Sequence, residues 1–100
     1  MTVRDDQKQH RFEVRVDGEF AGFSAYRREG GAFAFTHTEV DDVHEGEGLG
    51  SELVRRALEE VREQGASVLP YCPFVASYLK KHPELQDLVP EHERERFGLS

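Results

Sequence analysis

The chain has 100 residues, a 33% charged and 37% hydrophobic composition and a formal net charge of −7, which fits one small folded domain spanning residues 1–100 and leaves no room for a second. The negative balance argues against nucleic acid as a partner, because counterion displacement from phosphate needs a basic face. No apolar run approaches a membrane span and Met1–Asp6 lacks a signal peptide's apolar segment, so the expected compartment is cytoplasmic, with no membrane partner.

After a polar start, His10–Val16 alternates polar and apolar residues, as a half-buried strand does. Asp17-Gly18-Glu19 is a turn, Phe20–Tyr26 returns as a second strand, and Glu29-Gly30-Gly31 turns again. Ala32–Val40 reads as a third, longer strand with Phe33, Phe35, His37 and Glu39 on one face and Ala34, Thr36, Thr38 and Val40 on the other. These three strands form an antiparallel meander.

Next comes Val43-His44-Glu45-Gly46-Glu47-Gly48-Leu49-Gly50-Ser51, three glycines at alternate positions set against a helix. Leu49, Leu53, Val54, Ala57, Leu58 and Val61 follow helical spacing, and Gly65 stands as the C-terminal cap. A strand, a glycine-rich turn and a helix leave the first-turn N–H groups bare beside the positive end of the helix dipole, which suits a phosphate. Neither the dinucleotide fingerprint nor the nucleoside-triphosphate loop is complete here, and a tight turn that binds nothing is the plain alternative. Ser67–Cys72 reads as a short strand paired in parallel across the crossover helix, with Pro70 favouring an edge. Phe74–Lys81 is a second helix ended by Pro83, and Leu85, Leu88, Val89 and Phe97 are docking points in a tail of alternating charge. The fold class is therefore α/β of the α+β type: a meander, a parallel strand-helix-strand unit and a short C-terminal helix.

Glu45-Gly46-Glu47-Gly48-Leu49-Gly50 resembles the Arg/Gln-x-x-Gly-x-Gly/Ala pyrophosphate loop of the GNAT-type N-acetyltransferases. His37-Thr38-Glu39-Val40 before it, and the stretch from Pro70 to Pro83 after it, resemble a small single-domain GNAT-like family of about one hundred residues. The resemblance covers roughly residues 10–88. It implies a GNAT-like mixed sheet and an acetyl-CoA-dependent transfer of an acetyl group to an amine. It implies coenzyme A contacts at Thr38, Val40, Glu45, Gly46, Glu47, Gly48, Leu49, Gly50, Ser51, Phe74 and Lys81. Two positions depart from the pattern: Glu45 replaces the usual Arg or Gln, with Glu47 adding a second carboxylate that Arg55, Arg56, Lys80 or Lys81 would offset. The family's helix tyrosine aligns with Leu79, one step from Tyr78.

Acetyl transfer to an amine needs a base, donors on the thioester carbonyl and an acid for the departing thiolate. His37 and Glu39 are the candidate bases; their plainer role is to dress a solvent-facing strand. Cys72 stands where the last strand turns into the second helix, a position that favours thiolate, and the resemblance places it beside the cofactor's thiol. It would carry an acyl group or form a mixed disulfide there, or else serve as a buried structural cysteine. Tyr78 is a candidate acid or a core residue with a wet tip. Lone Cys72 and scattered histidines predict no metal site. The expected acceptor is an amine on a small molecule, peptide or protein, and the expected assembly a monomer or weak homodimer. A non-catalytic acyl-CoA-binding or regulatory module is the main alternative, and a protein-interaction domain with a vestigial loop the third.

Overall fold

The computed structural model describes residues 1–41 and 48–99. Five strands form one sheet in the order β1-β2-β3-β4-β5: β1 Thr2–Asp6, β2 Arg11–Val16, β3 Glu19–Glu29, β4 Ala32–Val40 and β5 Ser67–Pro70. The first four pair antiparallel in succession. Helix α1 (Leu49–Glu63) crosses from β4 to β5, which pairs with β4 in parallel. Helix α2 (Pro73–Lys81) follows, then a 3-10 segment (Pro83–Leu88) and a single turn α3 (Glu91–Arg94).

Local chemistry sets the hairpins and caps. Asp17 and Gly18 both have positive φ, 52° and 80°, the two-residue turn whose twist matches a right-handed strand pair. At the end of α1 the Gly65 N–H donates to Arg62 O and the Ala66 N–H to Val61 O, closing the helix by the paired bonds of a Schellman cap. The apolar stripe of α1, Leu49, Leu53, Val54, Ala57, Leu58 and Val61, is buried against Phe12, Val14, Tyr26, Phe33 and Phe35 of the sheet. Full burial of one such aliphatic side chain contributes at most about 1.5–3 kcal/mol, so this stripe is the main force seating the helix.

Three sequence expectations change. The meander begins a strand earlier, because Thr2–Asp6, expected only as a polar start, pairs with β2 along its whole length. Just one of its side chains is apolar, Val3, so the strand is held by its ladder to β2 and by the Tyr26 hydroxyl of β3 donating to Asp5 Oδ1 at 2.6 Å. Burial and the neighbouring Asp5 carboxylate push the Tyr26 phenol well above its ordinary range. At the other end, β5 stops at Pro70 rather than Cys72, which instead caps α2.

The third change concerns faces. Pairing between β3 and β4 shifts by one residue, since Ala25 faces His37 while Tyr26 faces Phe35, and Thr36 is the extra residue of a bulge. Its hydroxyl donates to Ala25 O at 3.4 Å. A one-residue insertion exchanges the faces beyond it. Thr38 and Val40 therefore join Phe33 and Phe35 on the α1 side, while His37 and Glu39, expected to share the phenylalanines' face, turn to the open side. The tail closes part of that open side, with Phe97 packed on Ala32, Ala34 and Leu69 and Leu99 buried in the main core.

Two stability predictions follow from these contacts. A Cβ at Gly22 would lie 2.6 Å from Glu39 O and 3.0 Å from Val40 Cα, both backbone, so Gly22→Ala should cost about 1–3 kcal/mol, read as a lower midpoint in urea with an unchanged slope. Tyr26→Phe should cost about 1.5 kcal/mol by removing a hydrogen bond to a carboxylate, read as a lower melting temperature that Asp5→Ala does not lower much further in the double variant.

Candidate active site

Pairing of β4 with β5 runs only from Ala32 opposite Ser67 to Phe35 opposite Pro70, while β4 itself continues to Val40. One more link follows, the Cys72 N–H donating to Phe35 O at 2.8 Å. From Thr36 to Val40 no described strand pairs with β4 on that side, so its backbone borders a gap between β4 and the chain leaving β5.

Cys72 stands at the inner end of this gap. It is 2% exposed and occupies the N-cap of α2, where its own backbone O accepts from the Ala76 N–H. Its Sγ lies 3.4 Å from Thr38 Oγ1, and Thr38 Oγ1 lies 2.9 Å from Ser24 Oγ. Ser24 is fully buried, so the three form a chain that starts at the thiol and ends in the core. Each hydroxyl donates once and accepts twice. A thiol can therefore donate into the chain, or a thiolate accept from it, after a rotation of the hydroxyls alone. The bulge at Thr36 is what turns Thr38 toward the thiol.

The N-terminus of α1 lies against the first turn of α2, the helix that Cys72 caps. Gly48 is the N-cap with φ +70°, a left-handed conformation that glycine adopts without strain. Its O accepts from the Glu52 N–H, and no side chain caps the helix. The N–H groups of Leu49, Gly50 and Ser51 are thus left without intrahelical partners. Gly50 has a different reason to be glycine: a Cβ there would meet the Phe74 ring at 2.8 Å, so its absence lets Phe74 lie on the first turn. Glu45, Gly46 and Glu47 lie outside the described residues.

The remaining candidates fall in two other places. His37 and Glu39 point to the open side, their side chains 61% and 65% exposed, with Nε2 to Oε2 at 3.4 Å and the imidazole beside the Phe23 ring. Tyr78 lines a cavity with Ser51, Phe74, Ser77, Lys81 and His82, its ring stacked on His82 at 3.9 Å and its phenol pushed up by burial. No hydrogen bond joins Tyr78 to Cys72 among the described residues, although both belong to the main core. Val40 is half-buried against the core and Leu49 is buried in it.

Arg55 and Arg56, expected as compensation for a bound anion, are engaged elsewhere: Arg55 holds Glu52 and Glu59, and Arg56 holds Glu52. That pairing holds the Glu52 carboxyl below its ordinary range, the Arg55 hydrogen bond being the largest cause. Three residues of these sites escape a reading by sequence. Ser24 stands in a strand with nothing to mark it. Ser77 shares a helix face with Phe74, Tyr78 and Lys81 at spacings of three and four, a signal that could have found it. His82 looks like an ordinary cation at a helix end.

Among the described residues no helix is long and apolar enough to cross a membrane, and no group of histidine, cysteine or carboxylate side chains could hold a metal ion.

Comparison with known proteins agrees with this architecture. Nothing among the curated proteins matches. A GCN5-like protein from Staphylococcus aureus, solved by NMR, has a similar fold at a TM-score of 0.67 and 23% identity, covering 89% of this chain and 87% of that one. The crystal structure of a ribosomal-protein-alanine N-acetyltransferase from Brucella melitensis biovar Abortus 2308 is similar at a TM-score of 0.50 and 23% identity, covering 77% of this chain and 57% of that one. The family model described as GCN5-related N-acetyl-transferase matches residues 11–88, and the chain belongs to that family.

Proposed function

We propose that the protein transfers an acetyl group from acetyl-CoA to an amine, with the cofactor lying in the gap beside β4. The observation that carries this reading is a pair of features that α2 links. The uncapped first-turn N–H groups of α1 lie against the start of α2 through the Phe74 ring at Gly50. Cys72, the N-cap of α2, meets Thr38 Oγ1 at 3.4 Å on the length of β4 that β5 leaves unpaired. A diphosphate fits the first, because it accepts hydrogen bonds and carries the charge that a helix N-terminus favours. An extended amide-bearing arm fits the unpaired β4 edge, as an added strand would.

Bound acetyl-CoA supplies the activated thioester carbonyl. Leu49, Gly50 and Ser51 hold its diphosphate through backbone N–H groups, and the backbone of Thr36–Val40 aligns the arm. On the open side of the sheet, His37 takes the ammonium proton of the acceptor, directly or through water, while Glu39 at 3.4 Å orients the imidazole. Transfer proceeds by direct attack of the amine or through Cys72. In the second route the Cys72 sulfur would take the acetyl group as the proton of its thiol passes to the departing coenzyme A sulfur, and the amine would then take the acetyl group from Cys72 and give up a proton that restores the thiol. Thr38 serves both states of that sulfur by turning its hydroxyl. The near-complete burial of Cys72 favours one other reading, a module that binds acyl-CoA without turning it over.

Calorimetric titration with coenzyme A and acetyl-CoA should show binding that Gly48→Val abolishes while the variant stays folded by circular dichroism; no binding by the wild type would overturn the proposal. Intact-mass measurement after incubation with acetyl-CoA separates the routes. The wild type should gain one acetyl group that a primary amine removes, and Cys72→Ser should gain none. Amine acetylation that survives in Cys72→Ala would assign direct attack, and binding without either product would assign the non-catalytic module.

A further inference from the structure

The open side of the sheet is covered unevenly. Over the start of β4 the tail lies on it, with Phe97 packed on Ala32, Ala34 and Leu69 and meeting Tyr71 edge-on. Around His37 and Glu39, which are largely exposed, the hairpin of β2 and β3 presents two phenylalanines instead. Phe23 is the register partner of Glu13 on β2 and of Glu39 on β4, and Phe20 that of Arg15. Directly opposite residues share a face of the sheet, so both rings stand on the same side as the imidazole.

These rings are held in place. Phe20 and Phe23 stack at 6.4 Å, the Arg11 guanidinium lies 5.2 and 4.8 Å from their centroids, and Phe23 meets the His37 ring at 6.0 Å. Arg11 is itself anchored, its Nε and Nη2 each 2.9 Å from Glu13 Oε2. Glu13 is 4% exposed, and Arg15 stands 3.8 Å from its other oxygen. An ion pair that fixes a cation over two aromatic faces also fixes the rings. Phe20 nevertheless stays 42% exposed, a large apolar surface that folding orders without covering.

Charge points to what would cover it. Glu13 is neutralised by two arginines, whereas the ion-pair partner of Glu39 among the described residues is His37, which is uncharged until it takes a proton. Glu39 is thus the carboxylate of this half with charge left for a ligand. An ammonium held there would stand beside Phe23, and because adjacent strands lie about 4.8 Å apart, a short carbon chain carries the rest of the molecule from β4 onto the rings of β3.

We propose that this surface binds the acceptor, and that the acceptor is a primary amine carried on an apolar body, its ammonium at His37 and Glu39 and its apolar part on Phe23 and Phe20. The inference rests on the acetyl-transfer reading above and adds the chemistry of the acceptor to it. Glu39 selects a cation, and the two rings select among cations by the apolar area each can lay on them.

The test compares two primary amines of equal charge, phenethylamine and ethanolamine, as acceptors with acetyl-CoA, the N-acetyl products being measured by mass spectrometry. In the wild type kcat/KM should favour phenethylamine about tenfold, the order expected for one apolar group in a partly open site. Phe20→Ser should remove that preference by lowering kcat/KM for phenethylamine alone, a split between acceptors that a merely structural role of the ring would not produce. Equal kcat/KM in the wild type, or a preference that survives in both Phe20→Ser and Phe23→Ser, would overturn the acceptor assignment while leaving acetyl transfer intact. Should neither amine be acetylated, nuclear magnetic resonance of the isotope-labelled protein separates the two failures. Phenethylamine, and not ethanolamine, should shift the amide signals of Phe20, Phe23 and His37. Those shifts without product would keep the amine surface and overturn the transfer reading, and their absence would overturn the surface.

Discussion

The bulge at Thr36 is the constraint on which the candidate site depends. A regular β4 paired with β3 would carry Phe33, Phe35, His37 and Glu39 on one face, sending an imidazole and a carboxylate toward the core beside α1. The shift of pairing between Ala25 and Tyr26 avoids burying those two polar groups, whose desolvation would cost several kcal/mol without partners. In their place the bulge turns in Thr38, whose hydroxyl is satisfied by Ser24 and Cys72. Gly22 supports the same strand end from the other side, its missing Cβ admitting the backbone of Glu39 and Val40. Packing and chemistry are thus set by one inserted residue.

That insertion also explains what the sequence conceals. The pattern of α1, the Asp17-Gly18 turn, the Gly65 cap and the parallel return through β5 each have a local signature, and each is present. A bulge has none here, because it is a property of two strands in register and Thr36 is an ordinary strand residue. β1 escapes notice for another reason: Thr2–Asp6 becomes a strand through its ladder to β2 and the bond from Tyr26 to Asp5, while its own side chains, Val3 apart, carry no apolar alternation. Candidate residues were legible as types and not as neighbours. His37 and Glu39 prove to be partners of each other, Cys72 of Thr38, and Tyr78 of His82, in three separate places. Residue type suggests chemistry, whereas only the register of strands and the packing of helices decides which groups can act together.

The glycines of the loop illustrate how one motif combines unrelated demands. Gly48 is needed for a left-handed N-cap, and Gly50 for the seat of the Phe74 ring. Both requirements would hold in a protein that bound nothing, so glycine alone is weak evidence for an anion site. Stronger support comes from the surroundings: first-turn N–H groups without a side-chain cap, and a length of β4 without a β5 partner that carries Thr38 beside a buried thiol.

Electrostatics then limits how such a site could hold a polyanion. The basic residues along α1 neutralise its own carboxylates, Arg55 and Arg56 at Glu52 and Glu59, and Arg62 reaches across to Asp87. These pairs stabilise the surface only modestly, but an arginine already bridging two carboxylates brings little net charge to a ligand. Attraction at long range is opposed by the net charge of −7. Recognition of such a ligand would therefore rest on contacts at short range, where backbone N–H groups act on a desolvated phosphate. Such contacts are directional and weakly screened by salt, so they favour selection by shape and hydrogen bonding over capture by charge.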